Sequence, residues 1–241
     1  MEAPAATRSR SSRRFFVSYG VLFVIVAVIG FGPSFWDYFQ GAYYFPPIVH
    51  LHGALMLGWL LVYVNQTRLA SNGDLQLHRR LGLWSITLAA AVWISMCVAT
   101  VVALQRHAPA EENEFLASVL LIQIGTAVVF PLFVALGILF RTDAGWHRRM
   151  MTLAALLLLQ AAIDRMWWLP NEGLPMFWHH AIRLYVLIIP LYAFDVLSLR
   201  RIHPATILGT VIIVAMHAIV SAYWNDAGWI ERATAFWRWV Y

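Results

Sequence analysis

Residues 115–150 read FLASVLLIQIGTAVVFPLFVALGILFRTDAGWHRRM, an uncharged run from Phe115 to Phe140 that stops at a turn carrying Arg141, Arg148 and Arg149. A helix needs about 20 apolar residues, at about 1.5 Å each, to cross roughly 30 Å of hydrocarbon. The run therefore predicts a membrane span, and the arginines behind it predict a cytoplasmic turn. Six further runs share this character: residues 15–31, 48–64, 81–104, 150–169, 179–199 and 205–224. The expected fold is all-α and polytopic, with seven transmembrane helices in residues 15–224.

The loops carry the orientation. Arg8, Arg10, Arg13 and Arg14, then Arg68, Arg79 and Arg80, then Arg141, Arg148 and Arg149, then Arg200 and Arg201 fall on alternate ends. The opposite loops hold Asp37, Glu111, Glu112, Glu114 and Glu172. This alternation predicts a cytoplasmic N-terminus, a periplasmic C-terminus and residence in a bacterial inner membrane. The first run, with no small-x-small cleavage site behind it, is expected to be an uncleaved signal anchor. Residues 1–14 are expected to be a disordered basic tail. The aromatic and arginine mix of residues 225–241 predicts an amphipathic helix lying in the outer interface.

Composition excludes several classes. The chain is 61% hydrophobic and 12% charged, against roughly 45–50% and 25% in soluble domains, so a water-soluble fold is out. All 17 positive charges are arginine, which removes lysine chemistry, a retinal Schiff base included. Cys97 is the single cysteine, so no internal disulfide or thiolate cluster can form. The net charge of +5 is the topology signal itself and implies no nucleic-acid partner. The expected partners are the lipid bilayer and a quinone, a lipid or another membrane protein.

Two cytoplasmic turns echo each other: Arg68 followed by His78-Arg79-Arg80-Leu81, and Arg141 followed by His147-Arg148-Arg149-Met150. Duplicated helical hairpins would give this pattern. The arginines read as groups that snorkel to phosphate headgroups. Together with His52-Gly53, Met56, Trp59, Gln66, Gly82 and Arg165, the pattern resembles a family of uncharacterised bacterial multi-pass membrane proteins marked by two His-Arg hairpins. The resemblance covers about residues 48–169. It implies topology and points to His52, His78, His147 and Arg165, and it brings no activity with it. In general plan only, the chain is similar to membrane b-type cytochromes.

Depth sorts the remaining polar residues. At about 1.5 Å per residue, Asp164 lies roughly 21 Å above the cytoplasmic side, Arg183 and His52 about 24 Å, and His217 roughly 18 Å. Arg165, His179, His180 and the more peripheral His50 join this level. The expectation is an outer polar site, with a buried ion pair of Asp164 with Arg165 or Arg183 as the simpler alternative. At the cytoplasmic edge, His78 and His147 share a level with Asp195.

Histidines on different helices at one depth can supply both axial ligands of a haem. The candidate haem b ligands are His52 with His179, His180 or His217 on the outer side, and His78 with His147 on the inner side. Membrane redox or electron transfer is the leading expectation. Binding or transport of a small anionic or lipid-like ligand and an accessory or scaffold role are the alternatives. A zinc hydrolase is disfavoured because no HxxxH pair occurs.

Overall fold

A computed structural model of the chain describes residues 5–42, 44–106, 113–169 and 176–240. These residues form nine helices and no strand: α1 (Ala5–Phe39), α2 (Pro47–Asn72), α3 (Leu75–Arg106), α4 (Asn113–Leu139), α5 (Ala144–Leu157), α6 (Gln160–Asp164), α7 (Met176–Leu199), α8 (Pro204–Tyr223) and α9 (Ala227–Val240). Six of them, α1, α2, α3, α4, α7 and α8, contain stretches long and apolar enough to cross a membrane. Their outward faces carry large exposed apolar side chains, among them Val28, Leu61, Leu83, Val128, Val186 and Val211. Such a surface suits lipid rather than water. Helix α1 already begins at Ala5, inside the stretch expected to be disordered.

Helix ends follow local chemistry. Pro47 starts α2, where its missing N–H has no intrahelical partner to lose, and Gly73 ends it at φ +88°, a left-handed cap that a residue with Cβ resists. Asp143 caps α5 by accepting from the N–H groups of Gly145 (2.7 Å) and Trp146 (3.1 Å). His203 caps α8, its Nδ1 accepting from the Ala205 N–H at 3.1 Å, with Pro204 directly behind it.

The proline inside α4 releases a carbonyl that a neighbouring helix recovers. Pro131 has no N–H for the Ala127 carbonyl, and the Trp93 indole of α3 donates to that oxygen at 2.8 Å. The Tyr19 hydroxyl of α1 donates to the Leu187 carbonyl in the turn before Pro190.

The fifth apolar run folds as α5 and α6, joined at Leu158 and Leu159. Both junction residues keep right-handed helical angles, and the N–H groups of Leu159 and Ala162 bond three residues back, so the helix tightens there. Met150 and Thr152 to Leu157 are buried, packed among α1, α2, α4, α7 and α8. A helix that is apolar on all sides belongs inside a bundle, which is where this one lies.

Without a hydrophobic force between helices in lipid, small residues and polar contacts decide packing. Gly30 of α1 lets the backbone of Ala162 in α6 approach so closely that a Cβ would fall into its carbonyl. Gly209 of α8 gives similar room to the Leu153 side chain.

Candidate functional site

The inner histidines come together. His78 lies in the first turn of α3 and His147 in the first turn of α5. Their ring centroids are 6.1 Å apart and their planes perpendicular. Each ring is tied to the descending helix of its own hairpin: His78 Nδ1 is 3.2 Å from the Gln66 carbonyl, and His147 Nδ1 is 2.7 Å from the Gly137 carbonyl. The echo extends to Asp74 and Asp143, whose carbonyls accept from the N–H groups of His78 and His147 at 2.9 Å each.

His78 Nδ1 lies 2.5 Å from the donating nitrogen of the Gln66 side-chain amide as well as near the Gln66 carbonyl, so the fold does not by itself place its proton. The Gly137 carbonyl beside His147, by contrast, only accepts and selects the tautomer with the proton on Nδ1, leaving Nε2 as a base. This is the arrangement by which metal-binding histidines are oriented. The Gln66 side-chain amide sits at the same edge of His78, its oxygen accepting from the Gly82 N–H (3.0 Å) and its nitrogen donating to the His78 carbonyl (3.1 Å). A cation at Nε2 of His78 would favour the Nδ1–H form, with the backbone carbonyl as its acceptor.

Beside the pair lies a buried ion pair that overturns one expectation. Arg149 does not snorkel to headgroups: its side chain and that of Asp195 are both fully buried and bonded to each other. Arg149 Nε donates to Asp195 Oδ1 at 3.0 Å, and Nη1 donates to the Gly145 carbonyl at 2.9 Å. Asp195 Oδ2 also accepts from the Thr206 hydroxyl (2.6 Å) and the His203 N–H (3.0 Å). One carboxylate thus joins the start of α5, the end of α7 and the start of α8. The guanidinium of Arg148 lies over the rings of Phe16 and Phe194, at 4.9 Å and 5.5 Å, rather than out in a headgroup layer.

Burial and the Arg149 charge push His203 below the usual imidazole value, against the opposing pull of Asp195 and Asp143. Asp143, held by two N–H groups of its own helix, is held below the usual carboxylate range.

The outer residues divide. His217 is fully buried, with Nε2 2.7 Å from Gln160 Nε2 and Nδ1 2.8 Å from the Tyr185 hydroxyl. Gln160 Oε1 accepts from Thr126 at 3.0 Å. This chain links α4, α6, α7 and α8 at the junction of the central helix, and it occupies both His217 ring nitrogens. His52 sits elsewhere, its Nδ1 3.0 Å from Ser95 of α3.

Arg183 donates to the carbonyls of Leu169 (2.9 Å) and Met166 (3.4 Å), closing the chain that follows α6. Arg165 donates to the Ala161 carbonyl at 2.7 Å and lies 4.7 Å over Phe31. Asp164 and Arg165 are exposed, and among the described residues a buried ion pair is formed by Arg149 and Asp195. The side chains of His179 and His180 lie outside the described residues.

Sequence reasoning missed Arg149, Gln160, Thr126, Tyr185 and the Tyr63–Thr152 contact of 2.7 Å. The one signal for Arg149 was Asp195 itself, an acid in an apolar run at a level where only a cytoplasmic arginine could neutralise it.

No family model, no curated protein and no solved structure matches the chain. Among the described residues no three or more histidine, cysteine, aspartate or glutamate side chains gather as a metal cluster. The inner histidines offer two donors, too few for a closed zinc site and the number a haem iron takes from its axial ligands.

Proposed function

We propose that this is a seven-crossing inner-membrane protein that carries electrons through a haem b held by His78 and His147 near the cytoplasmic face. The observation supporting it is the 6.1 Å approach of two rings, each with Nδ1 turned to a carbonyl of its own hairpin. The spacing is of the order of two metal–nitrogen bonds of about 2.0–2.1 Å plus the inner halves of the rings. A bound haem would supply one-electron chemistry. The carbonyls of Gln66 and Gly137 orient the ligands, and Arg148 adds positive charge next to His147. Arg149, neutralised by Asp195, holds α5 in place beneath the histidine.

The seventh crossing in this reading is α5 with α6, whose 144–164 stretch reaches roughly 30 Å at about 1.5 Å per residue. Its joint at Leu158 and Leu159 leaves neither piece long enough to cross alone. An odd number of crossings places the two termini on opposite sides. Alkaline phosphatase fused after Tyr241 should be active, and a green fluorescent protein fused there dark; the reverse would remove the seventh crossing. Protein expressed with ample haem precursor and purified should be red, with a Soret band that shifts on dithionite reduction. Colourless protein would overturn the haem reading.

A further inference from the structure

A groove of about 380 Å³ lies where α9 folds back along α3 and α4. Cys97 and Val101 of α3, Ile124 and Ala127 of α4, and Arg232 and Phe236 of α9 line it. Its construction is definite on one side: the Trp229 indole donates to the Ala117 carbonyl at 2.7 Å, and Ala233 is buried against Ala117 and Leu120. Ile124, Phe236 and Cys97 are exposed at its opening. The groove therefore faces the same surroundings as the apolar faces of α3 and α4.

Arg232 is the one full charge in this lining. Its guanidinium and the Asp226 carboxylate both lie near Gly228, and among the described residues no ion pair of Arg232 is formed. A guanidinium at the rim of an apolar slot between membrane-spanning helices matches one chemistry: an acyl chain in the slot and a phosphate at the rim. We propose that the groove binds an anionic phospholipid, its acyl chain between α3, α4 and α9 and its headgroup on Arg232. The inference is independent of haem and needs only that α3 and α4 lie in a bilayer. It also gives the amphipathic α9 a task beyond resting on the surface, since the bound lipid would join α9 to the bundle.

Cys97 is the chain's single cysteine and lines this groove, which makes it a reporter. The experiment is native mass spectrometry of detergent-purified protein with equal phosphatidylglycerol and phosphatidylcholine, read beside the rate of Cys97 alkylation by a maleimide. The wild type should retain phosphatidylglycerol about fivefold over phosphatidylcholine, as expected for one arginine at an anionic surface. Phosphatidylglycerol should also slow alkylation of Cys97. Arg232→Gln should bring the preference to about one, whereas Arg232→Lys should keep most of it. An unchanged lipid-free alkylation rate in each variant shows that the groove is intact; a changed rate moves the test to Cys97 protection in the wild type. Equal retention of the two lipids, a preference that survives Arg232→Gln, or an alkylation rate indifferent to phosphatidylglycerol would overturn the proposal.

Discussion

Arg149 and Asp195 form a fully buried ion pair that joins the first turns of α5 to the last turn of α7. The carboxylate is also bonded to Thr206 and to the His203 N–H, so its remaining lone pairs are satisfied. Arg149 lies two residues beyond His147, in the helix that Asp143 caps.

Removing one partner strands the other charge. Arg149→Ala or Asp195→Ala should each destabilise the protein by about 3–5 kcal/mol, while Arg149→Met with Asp195→Leu should be far milder than the sum of the two. Thermal unfolding in detergent measures this. Additive losses in the double variant would mean that the pair is not an energetic unit.

Gly30 is where α1 meets the backbone of α6. Gly30→Val should push the helices apart and cost about 1–3 kcal/mol. Gly53, with nothing within 4 Å of its Cβ position, is the control and should tolerate alanine. Equal melting of the Gly30→Val variant and the wild type would contradict the close approach.

Tyr63 and Thr152 tie α2 to the central helix through their hydroxyls. Tyr63→Phe should lower stability by only about 0.6 kcal/mol, the usual size of an interhelical hydrogen bond in a membrane protein. A loss several times larger would show that the contact supports a wider network.

His203 supplies a pH dependence. Its value is lowered from 6.5 in the fold, and its Nδ1 must stay unprotonated to cap α8. Its contribution is therefore complete above about pH 6.5 and declines as the pH falls below that, because the unfolded chain then binds the proton more readily. Asparagine caps a helix without titrating, so His203→Asn should flatten the melting temperature between pH 7.5 and pH 5 relative to the wild type, all conditions at about these values. Parallel profiles for the two proteins would remove His203 from the acid response.

How far the sequence reveals this arrangement differs between residues. The apolar runs are legible because length and hydropathy act locally, and so is the matching placement of His78 and His147, since the same motif at the same place in two hairpins puts each ring against its own descending helix. Arg80 and Arg149 occupy matching places in that motif, yet Arg80 is exposed and Arg149 buried. The difference comes from Asp195, 46 residues further on, and only helix adjacency reveals it. The break at Leu158 and Leu159 is equally hidden, for a run of leucines carries no helix-breaking residue. His217 looks like a free ligand at its depth, and the two partners that fill its nitrogens lie on α6 and α7.

The most direct test compares haem content and the reduced absorption spectrum of the wild type with His78→Ala, His147→Ala and His217→Ala, each purified after equal haem supply. The wild type should hold one haem with the spectrum of a six-coordinate b-type cytochrome, each inner histidine variant should lose it or become five-coordinate, and His217→Ala should keep it. A haem that survives loss of both inner histidines, or a wild type without haem, would contradict the account.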